Sequence, residues 1–108
     1  MPFTYKILGQ SAPAATTLTD LYTVSAATEC IGSSIVVCNR SSLTSFRVSV
    51  APAGAADDPK HYLFYDTTIA ANDTKPFTLG ITLAASDVVR VYNTLATVSF
   101  TLFGTEIT

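Results

Sequence analysis

The only histidine, His61, and the two cysteines, Cys30 and Cys38, have the side chains best suited to chemistry. A hydrolytic triad would need His61 as its base, but Lys60 and Tyr62 flank it in a predicted strand and no nucleophile motif lies nearby. A zinc site would need Cys30, Cys38, His61 and a carboxylate, and no paired short ligand spacing supports one. The sequence therefore predicts no catalytic residue and no metal site.

Adjacent carboxylates at Asp57 and Asp58 are the next candidates, either as paired acids or as part of a calcium site. Calcium loops space acids and amides two residues apart and usually add a glutamate, whereas Pro59 follows these two directly. We expect a turn with solvated acids. Four other acids and amides stand at predicted strand ends, where capping of the backbone is the usual role: Asp66, Asn72, Asp73 and Asp87.

No cofactor is expected, because residues 32–34 have neither the spacing nor the lysine of a phosphate-binding loop. Aromatic side chains raise a different possibility, a platform on which sugars or bases stack. The tyrosines are Tyr5, Tyr22, Tyr62, Tyr65 and Tyr92. They are assigned to different strands and have no basic companions, so packing in the core or at an interface is favoured. A module that binds carbohydrate or a cell surface stays open as an alternative.

Composition favours binding to protein. The chain has 108 residues, enough for one domain, and only 13% are charged, against the quarter or so that is usual in soluble proteins. A surface rich in threonine, serine and alanine loses its water easily and suits contact with partner proteins. The net charge is −2 and the six basic residues are scattered, which argues against nucleic acid as a partner.

The same composition bears on location and redox state. No apolar run approaches the roughly 20 residues needed to cross a bilayer, so no membrane partner is expected. Residues 1–6 lack the features of a signal peptide, which predicts a protein made and used without export. Eight residues along one strand would separate Cys30 and Cys38 by about 26 Å. Two reduced thiols are therefore expected, unless the chain doubles back at Gly32.

Hydrophobic alternation predicts an all-β chain of about eight short strands with turns every 8–12 residues. The predicted strands are residues 3–8, 20–24, 29–39, 44–50, 60–66, 74–83, 87–92 and 98–103. Residues 35–38 suggest a strand buried on both faces or one buried inside an oligomer, and residues 44–50 a strand paired with it through a hairpin. Gly80 suggests a bulge. The fold expected is a single antiparallel β-sandwich, jelly-roll or immunoglobulin-like, or a small barrel, spanning residues 1–108.

Several strand-and-turn segments together resemble small virion proteins of tailed bacteriophages. These segments are residues 21–24 (LYTV), 33–39 (SSIVVCN), 46–50 (FRVSV), 61–66 (HYLFYD), 87–92 (DVVRVY) and 103–107 (FGTEI). The resemblance covers nearly the whole chain, and it implies a β-sandwich that decorates and cements the head or belongs to the tail. One departure is Ser25, where relatives often carry proline, and it affects only the turn.

The resemblance implies a non-enzymatic protein of the virion, assembled in the host cytoplasm, whose partners are the major capsid protein or other virion proteins. A homo-oligomer is expected, with a trimer favoured because closed symmetry is the rule. Residues 1–19, a possible arm plus the first strand, and the loop at 51–59 are the expected contact segments. The candidate interface residues are Phe3, Tyr5, Pro13, Pro52, Asp57, Asp58 and Pro59. A tail, baseplate or fibre component is the alternative.

Overall fold

The computed structural model describes residues 2–108, and its regular structure is eight β-strands with two short 3-10 turns, Pro52–Gly54 and Pro59–His61. The strands are β1 (Phe3–Ser11), β2 (Thr19–Thr23), β3 (Glu29–Asn39), β4 (Thr44–Ala51), β5 (Tyr62–Ile69), β6 (Thr74–Leu83), β7 (Val88–Asn93) and β8 (Val98–Ile107). The all-β prediction is confirmed. Most ends agree within a few residues, and β1 and β8 run further than predicted.

The strands form two antiparallel four-stranded sheets packed as a sandwich. Sheet A has the order β1-β8-β3-β6 and sheet B the order β2-β7-β4-β5. Strand β4 pairs with β5, β3 with β6, β2 with β7 and β1 with β8. The chain is therefore one long antiparallel hairpin rolled into two sheets, which is the jelly-roll arrangement.

The predicted hairpin between β3 and β4 is wrong. Strand β3 lies in sheet A between β8 and β6, whereas β4 lies in sheet B between β7 and β5. The chain changes sheet at residues 40–43, where the buried amide of Asn39 donates from Nδ2 to the carbonyl oxygens of Ser42 (2.7 Å) and Ala70 (3.0 Å). A polar turn in the sequence fits a hairpin and a crossing equally well, because alternation reports the faces of a strand and not its neighbour.

The core lies between the sheets and follows the predicted alternation. Phe46 and Val48 of β4 are fully buried, and Val89 and Val91 lie buried beside them on the neighbouring strand β7 of the same sheet. In β3 the inward residues are buried while the outward ones keep partial exposure, so within the single chain the strand is not buried on both faces, which is the first of the two alternatives predicted for it. The predicted irregularity near Gly80 is present, since the β3–β6 register shifts there.

Both cysteines lie on β3 and both are free thiols, which confirms the prediction that they are not bridged. Cys30 faces the core, and Cys38 is half-buried. Burial raises the pKa of the Cys30 thiol. A buried thiol of this kind is a poor nucleophile, since the thiolate is the reactive form.

One polar contact ties the two sheets together near the chain ends. The Tyr22 hydroxyl of sheet B donates to Glu106 Oε2 at 2.5 Å, and Lys6 Nζ lies 3.1 Å from Glu106 Oε1 within sheet A. The hydrogen bond from Tyr22, followed by that from Lys6, lowers the pKa of Glu106. The carboxylate form is therefore the one that the fold stabilises.

Glu106→Gln is expected to lower the free energy of unfolding by about 1–2 kcal/mol near neutral pH, because the amide keeps an acceptor for Tyr22 but loses the charge. A lowered pKa gives stability that is present above the unfolded value, about 4.3, and is lost as pH falls through the folded value. Urea unfolding at about pH 7 and pH 3 should show the difference from wild type shrinking in acid. Glu29→Gln, an exposed carboxylate of the same sheet, is the matched control. An equal loss at both pH values would contradict this account.

Candidate functional site

The outer face of sheet A presents exposed apolar side chains from three neighbouring strands. We call this set the apolar face: Phe3, Tyr5, Ile7, Ile31 and Phe103. Tyr5 is 83% exposed and Phe3 is 61% exposed, both on the edge strand β1. Aromatic side chains this exposed are unusual on a soluble monomer, because transferring apolar surface out of water lowers the free energy.

Strand register explains why these residues meet. Tyr5 of β1 and Ile31 of β3 both pair with Thr105 of β8, and Ile7 pairs with Phe103. Residues directly opposite one another in a sheet share a face, so the apolar side chains form one continuous surface. The inward residue of β1 near this point is Leu8, which follows a register shift between Ile7 and Gly9.

The apolar face is large enough to matter for association. Its side chains expose on the order of 600 Å², which is at the upper end for a patch on a monomer. A stable interface removes about 800 Å² per partner, so this face with its rim approaches that size. Thr105 and Ser33 lie beside it, together with one charged side chain, Lys6, which is paired with Glu106. A partner surface would therefore meet a mostly uncharged rim here.

A second feature lies on the outer face of sheet B, where a pocket of about 460 Å³ opens beside the β4–β5 loop. We call it the tyrosine–arginine pocket. Its lining is Arg47, Asp57, Pro59, Tyr62 and Tyr65. Ligand pockets in proteins begin at about 300 Å³, so the volume suits a small molecule or one residue of a polymer.

Arg47 is held from three directions at the centre of this pocket. Its guanidinium carbon lies 4.1 Å from the ring centre of Tyr65 and 4.4 Å from that of Tyr92. Its Nε and Nη2 donate to the two oxygens of Asp66, at 2.7 and 3.3 Å. Hydrogen bonding to Asp66 is the main cause that raises the pKa of Arg47. Stacking on the two tyrosine rings and the two hydrogen bonds to Asp66 hold the Arg47 side chain, which is normally flexible, in one geometry.

The tyrosines of the pocket are also fixed. The rings of Tyr62 and Tyr65 meet edge to face with centroids 5.0 Å apart, and the Tyr62 hydroxyl donates to Asp57 Oδ2 at 3.0 Å. Burial, followed by the hydrogen bond to Asp57, raises the pKa of Tyr62. Tyr62 therefore stays protonated and keeps its donor at physiological pH.

Irregularities in β5 bring these side chains to one face. Residues three apart would point to opposite faces of a regular strand, but the β4–β5 register shifts between Phe46 and Val48 and again between Val48 and Ser49. Extra residues on the edge strand turn Tyr62 and Tyr65 the same way and leave Asp66 with a φ of 50°.

The prediction that the tyrosines lie in different strands without basic companions is wrong for this cluster. Tyr62 and Tyr65 share β5, and Tyr92 is brought beside them because it pairs with Arg47 across β7 and β4. The basic companion is Arg47 itself. The outward direction of Arg47 is visible in the alternation of β4, but the register shifts that collect the tyrosines leave no local signal. Tyr22 is buried against the core, as the packing interpretation expects.

The candidate interface residues fall into separate parts of the surface. Phe3 and Tyr5 belong to the apolar face, whereas Asp57 and Pro59 line the tyrosine–arginine pocket. The others lie at loops: Pro52 is exposed at the start of a 3-10 turn, Asp58 is half-buried and accepts from the backbone N–H of Lys60, and Pro13 is buried. The carbonyl oxygen of Pro13 accepts from Asn93 Nδ2, so Pro13 serves the interior.

His61 and the thiol and carboxylate side chains are the groups that the sequence analysis considered for catalysis or metal binding. His61 is buried at the end of a 3-10 turn, where its backbone N–H donates to Asp58. Within residues 2–108 no group of three or more histidine, cysteine, aspartate or glutamate side chains is placed to hold a metal ion. The same residues include no helix long and apolar enough to cross a membrane.

The capping role predicted for the acids and amides at turns is confirmed for Asp73 and Asp87. Asp87 accepts the backbone N–H groups of Ala53 and Ala84, and Asp73 accepts that of Thr74. Asp66 departs from this role because its carboxylate faces Arg47.

Fold and surface together define an eight-stranded jelly-roll sandwich with an apolar outer face on one sheet and an aromatic pocket on the other. Comparison with family models, curated proteins and solved structures found no match to this chain. Functional argument therefore rests on the residues and their geometry.

Proposed function

We propose that this chain is a non-enzymatic structural protein of a tailed-phage particle, which decorates the head by binding the capsid protein and its own copies through the apolar face. The observation that carries the proposal is the continuous exposed surface formed by Phe3, Tyr5, Ile7, Ile31 and Phe103. Exposing such a face to water is unfavourable for a protein that acts alone. The same face is an advantage in a subunit whose neighbours cover it permanently.

The edge of sheet A supports the same proposal. Strand β1 pairs with β8 on one side, and within residues 2–108 no strand lies beside its other edge. Free edges invite pairing with another chain, and a subunit of an assembly can have them covered by its neighbours. Residues 3–11 form this edge strand within the sheet, so the predicted contact segment acts here as a face and an edge rather than as a loose arm.

Composition and resemblance support the phage context. Low charge suits a subunit whose surface is shared with neighbours, and free thiols suit assembly in a reducing cytoplasm. Jelly rolls occur in viral capsid domains and elsewhere, so the fold fits the proposal without selecting it. The choice of a phage particle within the proposal rests on the sequence resemblance to small virion proteins of tailed phages.

Quantitative mass spectrometry of purified virions tests the location. A copy number close to that of the major capsid protein is expected for head decoration. A copy number near 3, 6 or 12 would overturn it in favour of a tail or baseplate role, since tails have closed symmetry of low order. Absence of the chain from virions would remove the phage proposal altogether.

Tyr5→Glu is expected to weaken binding of the chain to undecorated heads about 100-fold, because a carboxylate replaces an aromatic ring at the centre of the contact. Sedimentation of heads with labelled protein measures this loss. Thr74→Glu is the matched control, since it places the same charge on an exposed position of the same sheet. Thr74 is the first residue of β6 and pairs with Cys38, at the end of β3 away from Ile31. Equal binding by wild type and Tyr5→Glu would show that another surface makes the contact.

A further inference from the structure

We propose that the tyrosine–arginine pocket of sheet B binds a neutral saccharide, with the Tyr65 ring as its stacking surface and the carboxylates of Asp57 and Asp66 as acceptors for sugar hydroxyls. This inference goes beyond the proposed function, because it assigns a ligand to a surface that the apolar face does not include. It gives the chain a second binding activity, on the opposite sheet.

Stacking is the first requirement, and Tyr65 meets it. A pyranose ring has a flat patch of C–H groups that packs against the negative face of an aromatic ring. Tyr65 is 59% exposed, yet its ring is fixed by its perpendicular contact with the Tyr62 ring and by the guanidinium of Arg47, which covers one of its two faces. An exposed ring that is already fixed loses little freedom when a ligand binds.

Hydrogen bonding is the second requirement. Asp57 uses Oδ2 for the Tyr62 hydroxyl, and each oxygen of Asp66 accepts one bond from Arg47. Ionised carboxylates have about four acceptor positions each, so both groups keep capacity for ligand hydroxyls. Adjacent hydroxyls of a sugar match acceptors that are held apart on a rigid surface, and bonds to a carboxylate are the stronger kind.

Charge favours a neutral ligand over an anionic one. Asp57 lines the pocket, and Asp66, which is outside the lining, pairs with Arg47, so two carboxylates stand against the single guanidinium of Arg47. The Nε and Nη2 atoms of Arg47 donate to Asp66, and the guanidinium group packs against the rings of Tyr65 and Tyr92. Arg47 is therefore poorly placed to bind a phosphate or an acidic sugar. Arg47 already supplies a cation to one face of the Tyr65 ring, which leaves the other face for the sugar and makes a second cation, such as a quaternary ammonium ligand, less favourable there.

The test begins with a glycan array probed with the labelled full chain, followed by NMR titration with the neutral oligosaccharide that binds best. Binding to one or more neutral glycans is expected, with sialylated and sulfated glycans weaker. Tyr65→Ala should weaken the titrated affinity about tenfold, whereas Tyr65→Phe, which keeps the ring, should stay close to wild type.

Tyr5→Ala, on the other sheet, is the matched control and should leave saccharide binding unchanged, while Tyr65→Ala should leave head binding unchanged. The two proposals can therefore fail separately. Thermal unfolding of each variant shows whether a loss comes from unfolding, and Asp57→Asn supplies a second pocket variant with a surface change only. Absence of neutral glycan binding, stronger binding of acidic glycans, choline binding that depends on Tyr65, or affinity that survives Tyr65→Ala would each overturn the inference.

Discussion

Phe46→Ala is expected to lower the free energy of unfolding by about 3–5 kcal/mol. The side chain is fully buried at the centre of an aromatic cluster, with ring centroids 5.9 Å from Phe64, 6.2 Å from Phe77 and 6.0 Å from Phe100. Phe46 and Phe64 come from sheet B, while Phe77 and Phe100 come from sheet A. Truncation would leave a cavity where the two sheets meet, and rigid strands on both sides limit how far it can close.

The loss should shift the melting temperature by on the order of 20 °C for a domain of this size. Urea unfolding followed by circular dichroism measures the free energy, and Leu43→Ala is the control because Leu43 is 63% exposed on the connection between β3 and β4. The control should stay within about 0.5 kcal/mol of wild type. A loss below about 1.5 kcal/mol for Phe46→Ala would mean that this ring does not join the sheets as described.

Asn39→Ala is expected to cost about 2–4 kcal/mol, although it removes a small polar side chain. The Asn39 amide is 1% exposed and donates from Nδ2 to the carbonyl oxygens of Ser42, Ala70 and, at 3.4 Å, Ile69. Its Oδ1 accepts from the backbone N–H of Ser41 at 3.2 Å and from the Thr97 hydroxyl at 3.0 Å. Alanine would remove the Asn39 donor from the buried Ile69 carbonyl and from the part-buried carbonyls of Ser42 and Ala70, and backbone groups left unpaired in this way cost more than the lost bonds alone.

Thr97→Ala is the graded control for this prediction, because it removes one of the bonds to Asn39 and should cost about 1 kcal/mol. Hydrogen exchange gives a second measurement, since the amides of residues 41 and 72 should exchange faster in Asn39→Ala than in wild type. A cost for Asn39→Ala no larger than that for Thr97→Ala would show that the amide does not organise this end of the sandwich.

Asn39 and Asn93 illustrate what sequence reasoning missed. Both stand at the end of a strand, where a polar residue is typical of a solvated turn, and both are buried. Asn93 donates to the carbonyl oxygens of Pro13 and Ala14 and accepts from the backbone N–H of Val98. Loops that cross between sheets carry backbone groups out of the strand ladders, and these amides satisfy them. Only the residues that contact the asparagine in the folded chain, which are distant in sequence, show that its amide bonds the backbone of these loops.

The two surfaces differ in how far the sequence foretold them. Phe3 and Tyr5 are candidates from the sequence because an alternating first strand places aromatic residues on one side. Ile31 joins them because it pairs with Thr105, and Phe103 joins them because it pairs with Ile7, and alternation does not report pairings between such distant segments. Asp57 and Pro59 are candidates as loop residues, but Arg47, Tyr62 and Tyr65 become part of a site only through the shifted register of β4 and β5.

By itself the sequence determined the all-β class, the positions of eight strands, the inward face of β4 and the unbridged cysteines. These properties depend on side-chain alternation and chain reach, which are local. The tertiary structure alone decided that β3 crosses to the other sheet instead of turning back, that the sheets close in jelly-roll order, and that three tyrosines surround Arg47. Strand partners and bulges depend on packing between distant segments, and a local pattern is compatible with more than one such pairing.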